Sequence, residues 1–430
     1  RGFSGRHEDI ERTLKARFEQ LSGKLDMGTA LSEERKRLIA SYFLMEYSPE
    51  SSALFNPSMV PHPDQSGLPP GSLRFILSLR ATGEGHISSI TFRSGVLDSR
   101  NSISLAKSYP FTLQAERRTS GGYVKELFQQ KLKEAGVHDE LSARAMASLP
   151  DVFILEELRE VLRFERERLD PVDILADRSC QAIALLAESN YEVHFNPASR
   201  LSQCILFPAA PSQSNGIEDA RFVRFAEEDG SSRYYATYTA YDGKTTFPQL
   251  LETKDFLNFK FATLNGSAVR NKGMALFPRR IGGKYAMLSR QDDENIFVMY
   301  SDNIDFWYEP RLVVSPARPW EYMKIGTCGS PIETDRGWLL VSHGVGPFRR
   351  YCIGAFLLDL EDPTRLVARL SEPLLVPRES ERDGYVPNVV YSCGALLHSG
   401  ELVIPYGVSD YATKFAVVGL DELIDAMDPA

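Results

Sequence analysis

The feature that most restricts the fold is a weak internal echo in the second half of the chain. Thr253-Lys254-Asp255-Phe256 returns as Asp302-Asn303-Ile304-Asp305-Phe306-Trp307, and Asp255 to Asp305 is a step of 50. A third copy, Asp359-Leu360-Glu361-Asp362-Pro363, follows 57 positions from Asp305 to Asp362. Before each echo stands a strand-like pair: residues 234–238 with 249–253, 284–288 with 296–300, and 337–342 with 352–358. A recurring four-stranded unit of roughly 40 to 50 residues is how a β-propeller builds its blades. Counting residues 55–96 and the tail 394–418 as further units gives about five. The pattern predicts a mainly β chain, a five-bladed β-propeller. A β-sandwich beside a separate helical domain is the alternative.

Two stretches break the β texture. Ile10, Leu14, Phe18 and Leu21 recur at helical spacing, and Leu38, Ile39, Tyr42 and Phe43 follow Ser32, an N-cap residue before Glu33 and Glu34. Helical spacing returns between Tyr123 and Ser189, through Val124, Leu127, Phe128 and Leu132, then Leu155, Leu158 and Leu162, then Ile183 and Leu186. The chain therefore divides into N-terminal helices (1–50), a first blade region (51–109), a helical insertion between the first and second blades (110–190) and the remaining blades (191–430). A short helix is expected near residues 420–427.

Composition removes several function classes. Lys+Arg 49 against Asp+Glu 58 leave a formal net charge of −9, so no basic stripe exists to displace counterions from nucleic acid. No apolar run approaches the roughly 18 to 20 residues that span a bilayer, and the charged stretch from Arg1 to Arg12 has no apolar segment behind it. The expected location is cytoplasmic, with no membrane and no nucleic-acid partner. Five cysteines without CxxC spacing read as reduced, buried thiols, and seven scattered histidines give no metal site. Phosphate-binding Gly-rich loops, nucleophile elbows, HExxH and dinucleotide fingerprints are missing, so no cofactor is expected.

The densest chemical cluster is Gly216-Ile217-Glu218-Asp219-Ala220-Arg221, with Tyr238-Thr239-Ala240-Tyr241-Asp242-Gly243 about twenty positions on. Adjacent acids at a strand entrance can furnish a general acid when burial and neighbouring charge hold the proton. A turn closed by a Glu/Arg ion pair is the alternative. Arg80, Lys272 and His343 are cationic candidates of the kind that hold phosphate by charge-assisted hydrogen bonds, with a solvated lysine and a structural histidine as the alternatives. Trp307-Tyr308, Trp320-Glu321-Tyr322 and Tyr406-Gly407-Val408-Ser409-Asp410 combine flat apolar faces with acceptors, as a sugar requires, and tryptophans packed in the core are the alternative.

Taken in order, these pieces resemble glycoside hydrolase family 130, the β-mannoside phosphorylases and mannosidases built on a five-bladed propeller. The resemblance rests on Asn56-Pro57, Leu79-Arg80-Ala81, the Gly216 to Arg221 cluster, the Tyr238 to Gly243 turn, Asn271-Lys272, Gly283-Lys284-Tyr285-Ala286-Met287-Leu288, Gly337-Trp338, His343-Gly344-Val345, Val386-Pro387-Asn388-Val389-Val390 and Tyr406-Gly407 with Asp410. It covers about residues 55–96 and 196–418, so the helical stretches look like a subgroup elaboration that offers a surface for homo-oligomers.

The resemblance implies that Asp219 is the general acid, acting through a hydroxyl of the bound mannose. It implies phosphate ligands at Arg80, Lys272 and His343, and substrate-binding roles for Asn56, Glu218, Arg221, Tyr241, Asp242, Arg290 and Asp410. The implied activity is inverting phosphorolysis of β-mannosides, with a lean towards β-1,2 linkages, in which inorganic phosphate is co-substrate and α-mannose 1-phosphate is product. An inverting β-mannosidase and a non-catalytic carbohydrate-binding propeller are the alternatives. Two departures bear on this. The strand after the Tyr-Asp-Gly turn reads Phe247-Pro248-Gln249-Leu250-Leu251, without the Arg usual in phosphorylases, and Ser88-Ser89 stand where many members carry another Arg. One lost charged hydrogen-bond partner costs about 1.5 to 3 kcal/mol. Arg93, Arg279, Arg280 and Arg290 are the cations available to compensate.

Overall fold

The computed structural model describes residues 5–23, 31–119, 122–168 and 174–430; the first four residues, residues 24–30 and two short stretches of the inserted block lie outside them. The described chain is mainly β, with helices gathered in the two expected places. Near the N-terminus, Ile10–Ser22 is capped by Asp9, whose side chain accepts from the Arg12 N–H, and Glu33–Ser41 is capped by Ser32. The inserted block supplies Lys125–Glu134, Glu140–Ala147, Leu155–Glu167 and Ile174–Glu188, which close on their own core of Phe128, Leu132, Phe153, Leu158 and Ile183. A last short helix, Leu420–Asp425, precedes the two-residue strand Asp428–Pro429, which pairs with Leu366–Arg369.

The inserted block also contains strands that its helical periodicity conceals. Glu116–Thr119 pairs with Tyr191–His194, which pairs with Asn258–Thr263. Both ends of the insertion are thus stitched to the outer edge of a sheet, and backbone hydrogen bonds fix where it sits.

The β part is a series of antiparallel meanders. Ala53–Pro61, Leu73–Thr82 and Ser88–Leu97 form the first. A single parallel bridge from Ser88 to Gly216 joins it to the second, Gly216–Ala226, Ser232–Tyr241, Thr246–Thr253 and Asn258–Thr263. The third runs Ala275–Leu276, Tyr285–Ser289, Ile296–Ser301 and Arg311–Val314. Lys324–Thr327, Gly337–Val345, Tyr351–Leu358 and Leu366–Arg369 make the fourth, and Val390–Tyr391, Leu396–His398, Glu401–Val408 and Ala412–Gly419 the fifth.

Apolar residues on both faces of these strands are buried between neighbouring meanders. Phe92 and Ile76 of the first pack with Phe222 and Leu251 of the second, and Phe225 and Tyr235 of the second with Met287 and Met299 of the third. Leu288 and Val298 of the third pack with Trp338 and Phe356 of the fourth, and Val341 and Ile353 of the fourth with Ile404 and Tyr406 of the fifth. Leu396 and Val403 of the fifth return to Met59 and Leu77 of the first. Burial at about 25 cal/mol per Å2 makes these seams the main source of cohesion. All five cysteines are free and buried within the protein.

Candidate active site

Two strand irregularities create the acid centre. The register of the Gly216–Ala226 strand slips between Glu218 and Arg221, and Asp219 takes a left-handed φ of 55°. The Ala53–Pro61 strand slips between Phe55 and Ser58, with Asn56 at φ 47°. Bulges re-aim side chains out of the pleat, and Asn and Asp tolerate this backbone better than other non-glycine residues. Here the two bulges face each other: Asn56 Nδ2 donates to Asp219 Oδ1 at 2.6 Å, with both residues buried. Gly216 permits the approach of the first two meanders, since at φ 129° a Cβ would lie 2.9 Å from the Ser88 nitrogen.

Arg80 organises the carboxylates. One terminal nitrogen bonds Glu218 Oε1 at 2.5 Å, the other stands 3.8 Å from Asp219 Oδ1, and Nε donates to Ser88 Oγ at 2.8 Å. Its guanidinium lies 4.9 Å from the Phe55 ring centroid. Ser88 therefore holds Arg80 in place. Burial acts to lift the Asp219 carboxyl, but the charges of Arg80, Lys272 and Arg221 and the Asn56 hydrogen bond outweigh it and hold it below the usual range. Glu218 moves the other way, raised by burial and, against the pull of Arg80, by the Asp219 charge. Asp410, itself left-handed at φ 51°, is pushed up to about 6, by burial first and by Asp219 and Glu218, with Arg80 and Arg349 opposing.

A second cluster holds cations. Arg221 donates to the Asp219 backbone carbonyl at 3.1 Å and to the Tyr391 hydroxyl at 2.5 Å. The Tyr391 ring is 4.9 Å from the His343 ring, and Arg290 stands 3.3 Å from His343 Nε2. Asp293 takes Arg290 at 3.0 Å and Lys324 at 2.9 Å, and Asn271 Nδ2 donates to it at 3.2 Å. Burial, then the charges of Arg290, Arg221 and Lys324, holds the His343 imidazole well below its ordinary value, so the ring is neutral and accepts from Arg290 at Nε2. Arg221 and Arg290 each keep a buried Nε without a partner among the described residues.

The structure thus distributes the predicted residues over three places. Asn56, Arg80, Glu218, Asp219 and Arg221 form one contact network, joined electrostatically by Lys272 and Asp410. His343 and Arg290 belong to the cation cluster. Tyr241 and Asp242 close their own turn: the tyrosine hydroxyl bonds the Gly243 carbonyl, and the Asp242 carboxylate accepts the Lys244 and Thr245 N–H groups. Of the four compensating arginines, Arg93 pairs with Glu50, Arg279 with Glu333 and Arg280 with Glu228, which leaves Arg290 beside His343. Lys324 and Tyr391 were not found by sequence reasoning. The only trace of Lys324 is its place in Lys324-Ile325-Gly326, the strand that pairs Gly326 with His343.

A buried carboxylate next to an arginine, with a separate cationic wall, is suited to pairing proton transfer with binding of an anion. A family described as beta-1,4-mannooligosaccharide phosphorylase matches residues 185–429 of the chain. The chain belongs to glycoside hydrolase family 130. Relatives within family 130 include the 1,2-beta-oligomannan phosphorylase of Thermoanaerobacter sp. (strain X514), 33% identical over 231 residues, 52% of this chain and 75% of that protein. The Beta-1,4-mannooligosaccharide phosphorylase of Ruminococcus albus is 35% identical over 206 residues, 45% of this chain and 61% of the relative. Among solved structures, the Beta-1,2-Mannobiose phosphorylase of Listeria innocua in complex with beta-1,2-mannobiose superposes with a TM-score of 0.51 at 20% identity, covering 89% of this chain and 94% of the other. That likeness concerns the fold. The family match begins at residue 185, so it leaves out the N-terminal helices, the Asn56 and Arg80 strands and nearly all of the inserted block.

Proposed function

We propose that this family 130 protein is an inverting phosphorylase of β-mannosides, with β-1,2-linked manno-oligosaccharides the first substrates to test. The observation that carries the reading is one chain of contacts. It runs from Asp219 through Arg221 and Tyr391 to His343 and Arg290, so the acid and the cations share one buried framework. In the reaction a phosphate oxygen attacks the anomeric carbon. The bond from that carbon to the glycosidic oxygen breaks, its electron pair stays on the oxygen, and a proton from Asp219, relayed through a sugar hydroxyl, completes the leaving sugar. The products are α-mannose 1-phosphate and a glycan one unit shorter. Phosphate is already anionic, so no second carboxylate has to activate a nucleophile, as it must in inverting hydrolysis.

The electrostatics support this order of events. In the free site the surrounding cations keep Asp219 ionised. A bound phosphate offsets their charge, burial then dominates, and the carboxyl gains the proton it must donate. In this reading Arg290, Lys324 and His343 form the phosphate wall, with Lys272 and Arg80 as the further cations whose charges reach Asp219.

The helical stretches are read as elaborations of a core of five blades. Support for the ring comes from the five apolar seams, the last of which joins the fifth meander to the first. A hydrolytic β-mannosidase is the second reading. It is favoured by Asp293, a carboxylate beside the cations that would serve as a base, and by Pro248 and Gln249, which occupy the strand without the usual arginine.

The test is product analysis of β-1,2- and β-1,4-mannobiose with and without inorganic phosphate. Phosphate-dependent mannose 1-phosphate supports the phosphorylase. Free mannose regardless of phosphate supports the hydrolase, and no turnover with retained sugar binding supports a binding protein.

A further inference from the structure

Three loops from distant parts of the chain are tied to one another and to residues of the site, and each bears an exposed ring or a strained backbone. The first follows Arg80 and ends at His86, whose φ is 57°. The second carries Tyr385, 73% exposed, and stacks it on His86 with centroids 5.5 Å apart and planes 19° from parallel. This loop is fastened to the Asp410 turn: Val386 N–H bonds the Ser409 carbonyl at 3.1 Å, and Gly384 packs so closely that a Cβ would fall 2.5 Å from the same oxygen. The third is the hairpin after the His343 strand. Phe348 and Arg349 are both left-handed there, at φ 55° and 56°, and Phe348 is 95% exposed.

The third loop is tied to the second and to the His343 strand. Arg349 lies 6.0 Å from the ring of Tyr351, which stacks on His343 and whose N–H bonds the Asn388 carbonyl of the Tyr385 loop. The charge of Arg349 also reaches Asp410. Two consecutive non-glycine residues in left-handed backbone are unfavourable, and such conformations cluster where surrounding structure holds a functional group in place. What this loop holds out is a phenyl ring that is 95% exposed among the described residues.

We propose that Phe348, with the stacked His86–Tyr385 pair, forms a sugar-stacking groove at the mouth, so that the protein acts better on manno-oligosaccharides of three or more units than on the disaccharide. The inference rests on the phosphorylase reading and deepens it. Asp219 is only 6% exposed, so in this reading the mannosyl unit it serves enters a buried site, and the rest of the glycan runs out past the loops that are fastened to the Asp410 turn and the His343 strand. Aromatic rings bind the apolar face of a pyranose whatever its linkage, and their benefit appears only when the chain is long enough to reach them.

The experiment compares wild type, Phe348→Ala and Tyr385→Ala on mannobiose and mannotriose, β-1,2- and β-1,4-linked, with phosphate. The expected wild-type ratio of kcat/KM, trimer over dimer, is about five or more, the scale of one stacked ring, and each substitution lowers it towards one. A ratio near one in wild type, or one that neither substitution changes, overturns the proposal. Calorimetric titration of the same sugars into Asp219→Asn, with and without Phe348→Ala, separates the groove from the reaction. Tighter trimer binding that Phe348→Ala abolishes upholds the groove even where no mannose 1-phosphate forms. Binding without length dependence overturns it even where phosphorolysis is confirmed.

Discussion

Asn56 and Asp219 lie 163 positions apart, yet each occupies a left-handed bulge and the amide of the first donates to the carboxylate of the second at 2.6 Å. The first strand of the chain therefore completes an acid centre whose other parts begin at Gly216. Asn56 Oδ1 is buried without a partner among the described residues, so the amide is oriented by what its nitrogen gives to Asp219. Replacing Asn56 with Ala removes that bond and puts a poorly suited residue at φ 47°. At about 1.5 to 3 kcal/mol for a hydrogen bond to a charged group, kcat should fall roughly ten-fold to a hundred-fold. Asn56→Ser should fall less. Steady-state kinetics of mannose 1-phosphate release would check both, and equal losses in the two variants would remove Asn56 from the acid's positioning.

Asp219→Asn keeps the shape of the acid and removes its proton. General-acid steps are worth about 10² to 10⁴ in rate. Turnover should drop by that factor, while calorimetry should still detect mannobiose binding. If binding and turnover vanish together, Asp219 holds the fold of the bulge and another group supplies the proton.

Asp410 gives a pH prediction with a definite sign. Its carboxyl is raised to about 6 in the fold, whereas an unfolded chain titrates near 4. The folded protein therefore binds the extra proton between those values, and stability falls as pH rises through that window. Above it the cost is full, about 1 to 2 kcal/mol after allowance for partial solvent contact. His343 slopes oppositely: held neutral in the fold, it takes stability away as pH drops below the range of a free imidazole. The Asp410 share is read as the difference between Asp410→Asn and the parent. The variant should melt higher at pH 8, with the gain shrinking towards pH 4, and turn over less. A gain that is constant with pH would mean that packing, not charge, is responsible.

The first and third copies of the internal echo were legible because each marks the same physical device, a turn into the outer strand of a meander. Asp255 Oδ1 accepts the Leu257 and Asn258 N–H groups, and Asp359 Oδ1 accepts those of Glu361 and Asp362. Short side chains that cap their own turns leave a local signature. The acid cluster was legible for a similar reason, since Glu218, Asp219 and Arg221 are adjacent in sequence. The wall of cations was legible only in part: His343 and Arg290 stand out singly, whereas Lys324 and the meeting of the three do not. Arg290 follows the end of one strand, Lys324 and His343 lie on two others, and they meet only through sheet packing, while the small strands of the inserted block are too short to show a period of two. Tyr241 and Asp242 show the converse: a turn as rich in polar groups as any site satisfies them within itself.

Gly326 offers the sharpest test of the cation wall. It pairs with His343 across neighbouring strands, and a Cβ there would lie 2.5 Å from His343 Cε1, 2.7 Å from Nε2 and 3.1 Å from the near Arg290 nitrogen. Its backbone is not left-handed, so Gly326→Ala introduces a steric demand and little else. The ring and the guanidinium must part, and overpacking of this kind costs about 1 to 3 kcal/mol. If Arg290 and His343 hold phosphate, the KM for phosphate should rise about ten-fold while that for mannobiose moves much less. Loss of folded protein lowers the rate at every substrate concentration but leaves the ratio of the two KM values alone, so the ratio is the quantity to measure. An unchanged ratio together with a lower melting temperature would assign the pair to structure and move the phosphate site towards Lys272 and Arg80.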